Sequence, residues 1–96
     1  MLSTSRKGII AELRAAGWLM EQGFEVFLNI APDGPADLAC LHRETGDMFV
    51  VDVKSRNGPQ GKGRTEEQKD LRVRILYVGE EIEWSPANDN HKDGGC

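Results

Sequence analysis

Between Met48 and Lys54 the chain reads Met-Phe-Val-Val-Asp-Val-Lys, and no other run constrains the fold as much. Side chains of a strand alternate between its two faces, so Phe49, Val51 and Val53 share one face while Val50, Asp52 and Lys54 share the other. The apolar face requires a covering layer. A carboxylate and an ammonium in an otherwise apolar strand require polar partners. A second carboxylate, Asp37, opens the preceding strand-like run, directly after Gly34-Pro35-Ala36.

Upstream, Ile9, Leu13, Ala16 and Met20 recur at helical spacing with Ile10 and Gly17 beside them, so residues 6–22 are expected to form an amphipathic helix ended by Gly23. That row is the expected buried face. Glu12 lies about 60° round from its centre, at the edge of the face, where it could reach a site on a neighbouring sheet. Strands are expected over 24–30, 36–42 and 48–54, with a turn around Pro32-Asp33-Gly34-Pro35 and a hairpin turn over 42–47. Thr65-Glu66-Glu67-Gln68 has the form of a capping box, opening a second helix of about two turns at most. Leu71 to Val78 alternates like a strand, Ile82-Glu83-Trp84 suits a short edge strand, and residues 85–96 read as a polar, disordered tail. The order predicts an α/β domain over residues 1–84, with one helix before a mixed central sheet of about four strands and a shortened second helix.

With 96 residues, 39% hydrophobic and 29% charged, the chain has room for one compact core, and a domain this small commonly self-associates. The net charge of −4 argues against a protein that coats nucleic acid through bulk electrostatics. Basic charge is nevertheless concentrated from Lys54 to Arg74, in Arg56, Lys62, Arg64, Lys69, Arg72 and Arg74. Cys40 and Cys96 have no metal-ligand spacing and imply no disulfide framework, and His42 and His91 are isolated. No apolar stretch suits a signal peptide or a membrane span, so the cytoplasm is the expected compartment.

Two acids beside one lysine suit a hard divalent cation and an activated water. Asp37 and Asp52 would each supply one oxygen, with the Val53 carbonyl as a third donor and Glu12 near the metal or its water shell. Lys54 would orient the water and stabilise the transition state, or act as the base. Arg56 and Lys62 in the glycine-rich loop from Ser55 to Arg64 are the candidate contacts to a polyanion, and Arg72 and Arg74 could share a strand face lining a groove. Each feature has a plainer reading: a surface ion pair for Asp52 and Lys54, a solvated loop, and charges that protect an edge strand. Trp18 and Trp84 are read as packing residues rather than base-stacking platforms.

Glu12 on a helix, then Asp37, then Asp52-Val53-Lys54 on the next strand resembles the PD-(D/E)XK nuclease superfamily over residues 6–78. Ala36 stands where that pattern carries proline, with Pro35 one step earlier. The small helix-first layout is most similar to Holliday-junction-resolvase-like and phage or intron-encoded endonucleases. The resemblance implies a restriction-endonuclease-like core and cleavage of DNA that depends on Mg²⁺ or Mn²⁺, by a homodimer or larger homo-oligomer in a bacterial or phage-infected cell. It implies no organic cofactor. It also implies that Gln68 lies near the site with Glu12, Asp37, Asp52 and Lys54. With DNA as the polyanion, the concentrated basic residues Arg56, Lys62, Arg64, Arg72 and Arg74 are the candidate nucleic-acid contacts. The alternative is a nucleic-acid-binding or assembly module that keeps the fold without turnover.

Overall fold

The computed structural model describes residues 3–31, 34–55 and 64–86. Helix α1 (Thr4–Glu21) is followed by β1 (Phe24–Leu28), β2 (Leu38–His42), β3 (Met48–Ser55), α2 (Glu66–Asp70), β4 (Arg74–Val78) and β5 (Ile82–Trp84). The strands form one sheet in the order β1-β2-β3-β4-β5. Among the described residues only β3 and β4 run parallel; the other neighbours are antiparallel. The sheet is therefore mixed, with five strands where about four are expected, the short β5 being the addition.

Local chemistry accounts for the element ends. Ser3 caps α1 by accepting from the Arg6 N–H at 3.2 Å, and Gly23 leaves the helix at φ 98°, a conformation that carries little steric cost only without a Cβ. Gly46 turns the β2–β3 hairpin at φ 80°, while His42 Nδ1 accepts from the Glu44 and Thr45 N–H groups at 3.3 and 3.4 Å. The capping box at α2 is present in both directions: Thr65 accepts from the Gln68 N–H, and the Gln68 side chain accepts from the Thr65 N–H.

α1 packs on the sheet face that carries Val51 and Leu76, and the core gathers Ala11, Ala15, Leu19, Leu38, Cys40, Val51, Leu76 and Val78. Phe49 and Val53 lie against this cluster, so the apolar face of β3 is the covered one. Aromatic rings close the end of the core: Trp18 meets Trp84 edge-on at 6.2 Å, Trp84 meets Phe49 at 5.6 Å, and Phe49 meets Phe24 at 5.5 Å. Ser85, placed in the tail by the sequence reading, is buried, and its N–H donates to the Ile75 carbonyl at 3.0 Å. Residues 87–96 lie outside the described residues.

Two expectations are corrected. The buried face of α1 is not the Ile9, Leu13, Ala16, Met20 row: of these Ala16 is buried, but Ile9, Leu13 and Met20 are 55–59% exposed, while Ala11, Ala15 and Leu19 face the sheet. Ala11 and Ala15 let the helix approach the sheet closely, and Leu19 inserts into the core beside them. The fourth strand begins at Arg74 rather than Leu71 and is interior, between β3 and β5. Arg72 sits in the preceding turn at φ 61°, a left-handed conformation that is costly for a side chain like arginine, so Arg72 and Arg74 do not share a strand face. Among the described residues no helix is long and apolar enough to cross a membrane.

Candidate active site

Asp37 stands one residue before β2, and its backbone is held from both sides. Its N–H donates to the Val51 carbonyl at 2.8 Å, and its carbonyl accepts from the Asn29 N–H at 2.9 Å. The position is thus fixed by both neighbouring strands. Asn29 also shapes the turn that leads in: its Nδ2 donates to the Ala36 carbonyl at 2.8 Å, and its Oδ1 accepts from the Ala31 N–H at 3.0 Å. Gly34 belongs to this arrangement, since a Cβ there would come within 2.9 Å of Asn29 Nδ2. Sequence reasoning missed Asn29; its signal is an asparagine ahead of a proline- and glycine-rich turn.

The Asp37 side chain reaches across to β3, where Oδ2 accepts from the Val53 N–H at 2.7 Å. The Asp52 carboxyl lies near enough to act on it. Burial pushes Asp37 up to about 7; the nearby Asp52 and the charge of Glu12 add to the rise, and the Val53 N–H opposes it. Two neighbouring carboxylates repel, and a cation between them would relieve that repulsion.

Asp52 is held on its other side. Its Oδ2 accepts from Lys54 Nζ at 3.2 Å and from Gln68 Nε2 at 2.8 Å. Gln68 is buried, and the same Nε2 donates to the Pro35 carbonyl at 2.8 Å. One side chain therefore links α2, the turn before Asp37, and Asp52. Its amide oxygen is occupied by the Thr65 N–H at 3.0 Å, so Gln68 acts by positioning Asp52.

Asp37, Asp52, Lys54 and Gln68 come together at the β2–β3 pair. Glu12 approaches from α1 and acts on Asp37 through its charge; with Asp37, Asn29, Ile9 and Ile30 it lines a cleft of about 350 Å³. Among the described residues, no group of three or more His, Cys, Asp or Glu side chains is arranged to hold a metal ion. The donors present still suit a hard divalent cation in chemistry, since Asp37, bonded to the Val53 N–H, and the adjacent Asp52 are oxygen donors whose repulsion a positive charge would relieve. A third protein donor would have to come from the Val53 carbonyl or from movement of Glu12.

The basic residues divide. Arg56 and Lys62 lie outside the described residues. Arg64 Nη1 donates to the Val73 carbonyl at 3.3 Å. Arg72 and Arg74 line an open cleft of about 770 Å³ with Asp47, Met48, Phe49, Val50 and Leu71, and the Arg74 guanidinium lies 4.3 Å from the Phe49 ring centroid. Compared with protein-family models, curated proteins and solved structures, the chain matches none of them.

Proposed function

We propose that this chain is a metal-dependent endonuclease with a restriction-endonuclease-like core, hydrolysing DNA phosphodiester bonds. The observation that carries this reading is the convergence of three side chains on the end of β3: Asp37 on the Val53 N–H at 2.7 Å, and the Lys54 ammonium on the carboxylate of Asp52, one residue away, at 3.2 Å. A bound Mg²⁺ or Mn²⁺ would supply charge neutralisation at the phosphoryl group and a more acidic water. Asp37 and Asp52 would hold it, with the Val53 carbonyl and Glu12 as further donors. Lys54, half-buried and paired with Asp52, would orient the attacking water or take its proton. Gln68 keeps Asp52 aimed. Arg72 and Arg74 would offer cationic contacts to phosphates from the cleft that they line.

A second reading, a nucleic-acid-binding module without turnover, is favoured by the lack of a three-donor metal group among the described residues. Cleavage of supercoiled plasmid and of a labelled four-way junction, in Mg²⁺, Mn²⁺ or EDTA, separates the two. The nuclease reading expects metal-dependent nicking or resolution, lost in Asp52→Ala and Lys54→Ala. DNA binding without cleavage in either metal leaves the second reading standing and removes the first.

A further inference from the structure

α1 carries apolar residues on both sides. One row, Ala11, Ala15 and Leu19, is buried against the sheet. Round the helix from it, Ile9, Ile10, Leu13 and Met20 remain 45–59% exposed. Ile30, on the rim of the cleft that Ile9 also lines, is 97% exposed and extends this surface. Monomeric soluble proteins rarely leave such residues contiguous over more than a few hundred Å².

The charges at the two ends of this row indicate what covers it. Arg6 lies at its N-terminal end and Glu21 at its C-terminal end, both exposed, and neither is in an ion pair among the described residues. A helix face with an apolar middle, a cation at one end and an anion at the other complements itself when reversed. Gly17 lies among these residues, and a Cβ there would meet nothing within 4 Å, so the surface has a shallow point where an opposing side chain can seat. Counting along the antiparallel pair, Arg6 of one helix falls opposite Glu21 of the other, and Ile10 opposite Gly17.

We propose that this face of α1 is the interface between two copies of the chain, paired antiparallel about a two-fold axis near Leu13. Ile9, Ile10, Leu13 and Met20 form the apolar centre, and two Arg6–Glu21 pairs close the ends. The contact is isologous, so it stops at two copies. The inference does not depend on the catalytic reading: Ile9 borders the cleft that Glu12 and Asp37 line, but none of these side chains is given a catalytic or metal-holding role.

Sedimentation velocity of the full chain, from about 1 µM to about 500 µM, tests it. Wild type should approach twice the 10.6 kDa chain mass as concentration rises. Leu13→Glu should weaken association at least tenfold while circular dichroism and thermal unfolding show the monomer fold intact. Arg6→Glu alone should also weaken it, and Arg6→Glu combined with Glu21→Arg should recover most of the loss. A wild type that stays monomeric throughout overturns the proposal and means that another occupant covers the row. So does a Leu13→Glu variant that associates as tightly as wild type. Failure of the double charge reversal to recover affinity overturns the antiparallel arrangement.

Discussion

Gln68 Nε2 donates to Asp52 Oδ2 at 2.8 Å, so the five-residue helix α2 is tied to the middle of the sheet through one buried amide. The same group reaches Pro35 and Thr65. Replacing Gln68 by Leu leaves the Pro35 carbonyl and the Thr65 N–H without this partner, and should lower unfolding free energy by about 1–3 kcal/mol, read from the urea midpoint at constant m. An unchanged midpoint would show that water replaces the amide at no cost.

Asp37 gives a pH signature with a definite sign. Its carboxyl is raised from 3.8 to about 7 in the folded chain, so between those values the native state holds a proton that the unfolded state has released. Its contribution to stability is therefore complete below about 4 and declines as pH rises towards 7. Asn at this position mimics the protonated acid, able to accept from the Val53 N–H and donate to Asp52. Thermal melts of Asp37→Asn across this range should lack the decline seen in wild type; parallel profiles would contradict the assignment.

Two leucines on one helix should behave oppositely. Leu19 is fully buried, and Leu19→Ala should cost about 2–5 kcal/mol. Leu13 is 59% exposed, and Leu13→Ala should change monomer stability by less than about 0.5 kcal/mol, measured at a concentration too low for association. Comparable losses at both positions would mean that α1 is rotated from the orientation described above.

Arg72 holds a left-handed backbone at φ 61°. Glycine adopts that conformation without the Cβ clash, at some entropic cost, so Arg72→Gly should raise stability by about 0.5–1 kcal/mol. If the arginine contacts phosphate, the same change should weaken DNA binding and reduce the slope of log K against log salt by about 1. A stabilised variant with unaltered DNA affinity would assign Arg72 no part in binding.

Much of this architecture could be read from residue order because it depends on local chemistry. The alternation in Met48–Ser55, the Thr65–Gln68 capping box and the glycine at the β2–β3 turn each specify their element from a few adjacent residues. The buried side of α1 was not legible, because periodicity finds the bulkier row while close packing against the sheet selects Ala11, Ala15 and Leu19. Arg72 was misplaced for a related reason: its alternation with Arg74 suits a strand, but the chain is still leaving α2 at that point, with the Arg72 N–H donating to the Lys69 carbonyl at 3.1 Å. Asp37, Asp52 and Lys54 stand out in sequence as charges within apolar runs. Their bracing by Asn29, Pro35 and Gln68 does not, since it joins residues far apart in the chain.

The parallel pairing of β3 with β4 separates the molecule into parts with different folding demands. α1 and the β1–β2–β3 meander are contiguous in sequence and close short loops, whereas β4 can align with β3 only after the connection through α2 has been traversed. Asp37 and Asp52 belong to the first part and Gln68 to the second. A chain whose last third has detached would keep both acids and most of its sheet but lose the amide that aims one of them, so the proposed catalysis, where measured, would report on completion of the whole fold.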